Sequence, residues 1–206
     1  LDLHSGGSSL MYLPSMLLSN CTNPENLKKG LELANAMALP YALCSDDNSP
    51  YFSDMAAFRQ GAFPITTELG GAGMVTPYIL KMAEDAIQRF LTHISFYKET
   101  WCLSAEPSKP HIMWVNQATH YVYASEAGLF EPLVELGDQV EAGQKAAHIH
   151  FVDTPDRSPI TLTFKGNGLV VCKRVPAQSR RGDCLFHLAS ESNDNLAAHL
   201  TDPLHP

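Results

Sequence analysis

The sequence lacks any apolar run long enough to cross a bilayer, and it lacks a basic leader followed by an apolar stretch. It also lacks basic clusters, since none is longer than the pair Arg180-Arg181 and the formal net charge is −8. Membrane insertion, secretion and nucleic-acid binding are therefore not supported. The composition favours a cytoplasmic protein whose partners are neither membranes nor nucleic acids.

The cysteines form no C-x-x-C motif and are scattered along the chain, at positions 21, 44, 102, 172 and 184. This odd-numbered set is not typical of a disulfide framework, and reduced, partly buried thiols are expected. A cysteine nucleophile is disfavoured because no base is paired with any of the five.

The first half of the chain alternates strand and helix patterns. Asn23-Pro24 and Thr76-Pro77 are typical helix starts, with a capping side chain followed by proline. Short strands are predicted over 40–44 and 63–68, with a weak helix over 51–61 between them. Alternation of this kind predicts an α/β fold with a mostly parallel sheet, assigned here to a domain over 1–98.

Helical periodicity stops in a linker over 99–115, and short strands with Gly-containing turns follow over 116–190. This part contains an internal repeat, in which 128–149 matches 168–188. Two such halves resemble the barrel-sandwich fold of biotinyl and lipoyl carrier domains, although no lysine has the carrier context. The prediction is an all-β barrel-sandwich-like domain that caps the first one, followed by a loose tail over 191–206.

Two motifs place chemically useful side chains at strand ends. The segment 2–7 (DLHSGG) ends a strand on His4, and 65–71 (ITTELGG) ends another on Glu68, each followed by glycines. Open α/β sheets hold their active sites at the carboxyl ends of their strands. A histidine for a metal and a glutamate beside it are the minimum parts of zinc-assisted amide hydrolysis.

These motifs, together with 127–138 (AGLFEPLVELGD), resemble the succinylglutamate desuccinylase/aspartoacylase family. The family belongs to the zinc carboxypeptidase-like hydrolases, and the nearest branch contains the N-acetyl-diaminobutyrate deacetylases of ectoine degradation. The resemblance covers nearly all of 1–190. It implies that the cofactor is zinc, that His4 is a metal ligand and that Glu68 is the general acid/base. The implied substrate is a small N-acyl amino acid, and homo-oligomerisation is left open.

The chain departs from the family pattern at its beginning. Family members hold zinc with two further ligands from an upstream His-x-x-Glu motif, but none of the nine histidines here is followed three residues later by Glu. The chain also begins with Leu1, inside what should be a central strand. The resemblance therefore predicts an N-terminally truncated chain that lacks two zinc ligands and the family's upstream arginine, and that is inactive as it stands.

Each candidate residue also has a simpler interpretation. His4 can be an ordinary hydrogen-bonded histidine, and Glu68 a surface acid. Asp2 projects from the same strand face as His4 and can orient its ring or serve as a polar residue without function. His148 and His150 lie on the same face of a strand. They could bind a metal ion as a pair of ligands, but a solvated or interface face of the β domain is the simpler interpretation.

Three functions therefore remain in view. The first is a zinc-dependent amidohydrolase that removes an acyl group from an N-acyl amino acid, of the deacetylase or desuccinylase type. The second is a zinc carboxypeptidase-like peptidase. The third is a non-catalytic protein, either an inactive remnant of the family or an interaction module built on the β domain.

Overall fold

A computed structural model describes residues 1–46, 49–99, 103, 106–115 and 118–191. The first sheet has the strand order β1-β5-β3-β4-β6. Its strands are β1 (Asp2–His4), β3 (Ser15–Leu18), β4 (Tyr41–Cys44), β5 (Thr66–Glu68) and β6 (His111–Trp114). Three of the four pairings are parallel, and only β3 and β5 run antiparallel. The predicted mostly parallel sheet is confirmed.

The helices of the described residues are α1 (Pro24–Met37), α2 (Ser53–Arg59) and α3 (Pro77–His93). Both predicted caps are present. Asn23 accepts hydrogen bonds from two backbone amides of the first turn of α1, and Thr76 accepts one from the amide of Ile79 in α3. These bonds satisfy amides that have no partner inside the helix. No helix in these ranges is long and apolar enough to cross a membrane.

The helix α3 packs beside α1 and shares its core cluster. Ala86 is buried there, and Met82 and Phe90 are partly buried against the same core. Ile94 lies just beyond the last residue of the helix, His93, and is 49% exposed.

The second half forms two antiparallel sheets with the orders β11-β10-β8-β13 and β2-β12-β14-β7. The strands of the first are β8 (Gly128–Pro132), β10 (Lys145–His150), β11 (Ile160–Thr163) and β13 (Gln178–Ser179). Those of the second are β2 (Leu10–Tyr12), β7 (Tyr121–Tyr123), β12 (Gly168–Arg174) and β14 (Cys184–Ala189), and β9 (Gln139–Val140) also pairs with β12. Over the described residues the sheets do not close into a barrel.

The internal repeat corresponds to two similar strand triplets, β8-β9-β10 and β12-β13-β14. The short middle strand of each triplet pairs with the first strand of the other triplet, so β9 pairs with β12 and β13 pairs with β8. Phe186 is fully buried between the two sheets and contacts Phe130 and Phe164 edge-on or tilted. The exchange of strands explains why both copies are needed for one core.

The two halves are joined by more than the linker. The strand β2 comes from the first half of the chain but pairs with β12. A separate core cluster contains Leu43 and Met113 from the first half and Val171 from the second, and all three are buried. The sheet of one half therefore packs directly on the sheet of the other. The domain boundaries drawn from the sequence stay a prediction.

We expect residues 116–190, expressed alone, to melt cooperatively because they contain both copies of the repeat. Their melting temperature should be lower than that of the intact chain. The strand β12 would lose its pairing with β2, and Val171 would lose its packing against Leu43. Residues 1–98 alone should not melt cooperatively. Circular dichroism during thermal melting measures both. A cooperative melt of 1–98 with none from 116–190 would reverse this assignment.

Candidate active site

His4 and Glu68 lie side by side at the carboxyl ends of neighbouring parallel strands. The register of β1 and β5 pairs these two residues directly, and the amide of Leu69 donates to the carbonyl of His4 at 2.9 Å. Parallel pairing in register brings both side chains to the same face of the sheet. The two motifs thus meet at one sheet edge, as their strand-end positions predicted.

The glycines after the two strands let the following loops approach each other. A Cβ at Gly6 would lie 2.2 Å from the carbonyl oxygen of Leu10, and a Cβ at Gly71 would lie 2.0 Å from the same atom. Gly71 also has φ +148, a conformation that side chains rarely adopt. Larger residues would therefore push the loops apart and disturb the ends of β1 and β5.

Asp2 holds the imidazole of His4. Its Oδ1 lies 3.0 Å from Nε2 of His4, and its Oδ2 accepts a hydrogen bond from the Ser53 hydroxyl at 3.3 Å. Both side chains of the pair are about half exposed, at 49% for His4 and 47% for Asp2. A carboxylate on one ring nitrogen fixes the ring and leaves the other nitrogen as a lone-pair donor. The ring of His4 is therefore oriented in the manner of a metal-binding histidine.

Glu68 has an unusual environment for a carboxylate. Its Oε2 atom is buried, and no described residue gives it a hydrogen bond. Burial raises the pKa of Glu68, and the neighbouring His4 opposes the shift only in part. A carboxyl group with a raised pKa exchanges protons closer to neutral pH, which is what a general acid/base needs.

We expect Glu68→Gln to stabilise the chain at neutral pH. Because the folded state raises the pKa of Glu68, the fold favours the protonated form, and stability is lost as the pH rises through the folded-state pKa. The variant should therefore have a larger free energy of unfolding than the wild type at pH 7. The difference should disappear by about pH 3, where the carboxyl is protonated in both states. Urea unfolding at both values measures this.

The control is Glu141→Gln, which removes an exposed carboxylate far along the chain, in the turn after β9. This variant should leave the free energy of unfolding nearly unchanged at both pH values. If Glu68→Gln were destabilising at pH 7, the carboxylate would have to be well satisfied in the folded state, and the description of its environment would be wrong.

A pocket of about 310 Å³ opens beside this pair, between the two halves of the chain. The first half contributes His4, Glu68 and apolar side chains such as Leu43. The second half contributes Tyr121 and His187. A cavity of this size accommodates a small molecule of amino-acid size, and its position between two units is typical of ligand sites.

The wall from the second half is aromatic. The rings of Tyr121 and His187 stack with centroids 4.1 Å apart, and Tyr12 contacts His187 edge-on. Burial lowers the pKa of His187 to about 4, so its imidazole is neutral at physiological pH. Its Nε2 donates to the carbonyl of Val115 at 3.5 Å, and its Nδ1 has no partner among the described residues.

The sequence did not single out Tyr12, Tyr121 or His187. They come from three distant parts of the chain and meet only because β2 and β7 join the sheet that contains β14. One signal was available, since His187 interrupts the apolar run of β14 and is 7% exposed. A polar residue in such a strand is often placed there by a ligand or a buried contact.

Comparison with known proteins agrees with this geometry. Residues 1–94, which carry both strand-end motifs, match the family model of the succinylglutamate desuccinylase/aspartoacylase catalytic domain. This stretch, a little under half of the chain, is thus similar to that catalytic domain. The predicted resemblance is confirmed.

Similarity to individual proteins extends beyond the family's catalytic domain. The chain is 32% identical over 191 residues to the N-alpha-acetyl-L-2,4-diaminobutyric acid deacetylase of Halomonas elongata, covering 92% of this chain and 55% of that enzyme. A succinylglutamate desuccinylase/aspartoacylase from Rhodobacter sphaeroides superposes with a TM-score of 0.84 at 28% identity, over 94% of this chain and 58% of that one.

The Ectoine utilization protein EutE (DoeB) from Ruegeria pomeroyi, solved with bound product, has a TM-score of 0.80 at 23% identity. The match covers 92% of this chain and 57% of that one, and it shows the common fold. The chain thus spans somewhat more than half the length of these relatives.

The zinc that the family resemblance implies is only partly accommodated by the described residues. Within the ranges that the structure describes, no group of three or more His, Cys, Asp or Glu side chains is placed to hold a metal ion. His4, oriented by Asp2, fits one ligand position. A catalytic zinc site needs about three protein ligands, so the described residues do not make a complete one.

His148 and His150 do not complete the set. Their ring centroids are 6.1 Å apart, and each ring has its own partner, Thr161 for His148 and Glu131 for His150. Ala147 and Ile149, which alternate with these histidines on β10, are fully buried in the β core. The two histidines therefore form a partly exposed polar face.

We expect this chain to lose zinc on dialysis and to show negligible amidase turnover, because His4 is one ligand where about three are needed. Metal analysis after dialysis against a weak chelator, together with an assay for released amine, checks this. One zinc per chain retained with measurable turnover would mean that ligands outside the described residues, or an unforeseen set, complete the site.

Proposed function

We propose that the chain carries part of the active site of an amidohydrolase that removes the acyl group from an N-acyl amino acid, of the deacetylase or desuccinylase type. The observation that carries the proposal is the direct register pairing of His4 with Glu68 at the mouth of a small-molecule pocket. The similarity to a deacetylase and to a succinylglutamate desuccinylase/aspartoacylase supports the same class of reaction.

Glu68 would act as the general acid/base of the reaction. Its raised pKa suits a group that takes a proton from the attacking water and returns it to the leaving amine. Asp2 would keep the ring of His4 in one orientation. The apolar side chains that line the pocket, such as Leu43, and the aromatic rings of Tyr121 and His187 would exclude bulk water from the scissile amide.

We include zinc in the proposal because the family implies it and because His4 fits one ligand position. A zinc ion at this site would polarise the scissile carbonyl and lower the pKa of the attacking water. The proposal therefore requires two further ligands that the described residues do not provide.

The test is a chimera in which the part of the Halomonas elongata deacetylase that precedes its match to Leu1 is fused in front of this chain. The expected result is release of acetate or succinate from N-acyl amino acids. Cleavage of the C-terminal residue from peptides, with no release from N-acyl amino acids, would favour the peptidase instead. Zinc binding without turnover on either substrate class would favour a non-catalytic protein.

A further inference from the structure

A row of polar side chains crosses the first sheet beside the pocket. The register of β5 with its two neighbours places Glu68 opposite His4 on one side and opposite Ser15 of β3 on the other. Directly opposed residues of paired strands project their side chains from the same face of the sheet. Ser15 therefore lies on the face that carries both residues of the proposed site, although the proposed function gives it no part.

The next row of the same two strands supports this orientation. Leu17 and Thr66 are also directly opposed, and both line the pocket together with Glu68. Because side chains alternate along a strand, Ser15 projects from the same side of β3 as Leu17. Ser15 itself is fully buried and is not among the residues that line the pocket. It can therefore affect the reaction only through a neighbouring side chain.

Ser15 and Glu68 each have a polar atom without a partner. Oγ of Ser15 and Oε2 of Glu68 are both buried, and neither forms a hydrogen bond with any described residue. A buried hydroxyl without a partner costs free energy, and such groups are uncommon enough in native proteins to require an explanation. Here the donor and the acceptor are neighbours across one strand pair, where opposed Cβ atoms lie about 4.5–5.5 Å apart.

We propose that Ser15 is a positioning residue for Glu68, and that its hydroxyl donates a hydrogen bond to Oε2 while the other carboxylate oxygen exchanges the proton. The assignment rests on the proposed function, since Ser15 acts only through Glu68. Hydrogen bonds of catalytic groups are often long or misaligned without substrate and tighten when the reacting complex forms. A turn of the short Ser15 side chain about χ1 brings Oγ towards Oε2, and Ser15 keeps its own proton throughout.

Ser15→Ala in the chimera is expected to lower kcat by roughly ten- to a hundredfold, the cost of losing a hydrogen bond to a charged group. A bond that is stronger in the transition state than in the ground state raises kcat. KM should change little, because Ser15 does not line the pocket. Combined with Glu68→Gln, the Ser15→Ala change should cause no further loss, because the group that Ser15 positions has already been removed. Steady-state kinetics of the two single variants and the double variant measure this.

Thr67→Val is the matched control. The hydroxyl of Thr67 is also fully buried without a partner among the described residues. Thr67 projects from the opposite face of β5, where it is paired with Met16 of the core cluster that contains α1. Its turnover should match that of the unmodified chimera. In the chain itself, urea unfolding should show that neither variant lowers the free energy of unfolding, since each removes a hydroxyl that is unsatisfied in the folded state.

Full turnover in Ser15→Ala, or an equal loss with and without Glu68, would overturn the assignment while the amidohydrolase would stand. A loss of stability in Ser15→Ala, or an equal loss of turnover in Thr67→Val, would make the role structural and would overturn it as well. If the unmodified chimera hydrolysed no N-acyl amino acid, the proposed function itself would fall, and the role of Ser15 would fall with it.

Discussion

Glu68→Gln in the chimera is expected to lower turnover of an N-acyl amino acid by on the order of 10²–10⁴-fold, the usual cost of removing a general acid/base. Glutamine keeps the size of the side chain but can neither take up nor return a proton. Because Glu68 is not proposed as a metal ligand, the zinc content should stay the same. Steady-state kinetics and metal analysis on the same preparation measure both quantities.

Glu141→Gln in the chimera is the control for removal of a carboxylate, and its turnover should match that of the unmodified chimera. The pairing of lost activity with gained stability at pH 7 separates a proton-transfer role from a structural one. Near-normal turnover in Glu68→Gln would mean that another group is the general acid/base, and the role proposed for Glu68 would be wrong.

His4→Ala is expected to have the broader effect, because it should remove zinc and activity together. The variant removes the imidazole ring at the end of β1. In the wild type, Nε2 of this ring lies 3.0 Å from Oδ1 of Asp2. Loss of one of about three protein ligands should leave the metal too weakly bound to survive dialysis. Since the ring is about half exposed, the melting temperature should change little. Zinc content, turnover and a thermal melt should be measured side by side.

His148→Ala is the matched control, since it removes a histidine from the polar face of β10 that is not among the residues lining the pocket. It should retain both zinc and activity. Retention of zinc by His4→Ala, with loss of zinc in His148→Ala, would place the metal in the β half and would contradict the proposed site.

The local features of the site were accessible from the sequence. Residues that alternate on a strand share a face, so Asp2 and His4 had to lie together. Strands that end in glycine turns carry their last side chain to the sheet edge, which predicted the neighbouring positions of His4 and Glu68. Helix caps at Asn23 and Thr76 followed from single residues and their neighbours.

Features that depend on pairing between strands far apart in the chain could not be predicted from the sequence. The segment that forms β3 runs antiparallel to β5, and nothing local indicates this direction. The strand β2 leaves the first half to pair with β12, and this places Tyr12 beside His187. The pocket wall therefore depends on contacts between residues far apart in sequence, which periodicity and propensity do not encode.

The position of zinc in crystals of the chimera, located from anomalous scattering at the zinc edge, tests the central claim most directly. The account predicts one strong peak at about 2.0–2.1 Å from a ring nitrogen of His4, with the Glu68 carboxylate beside it but outside bonding distance. A peak between His148 and His150, or a fully occupied zinc site with His4 turned away from it, would contradict the account.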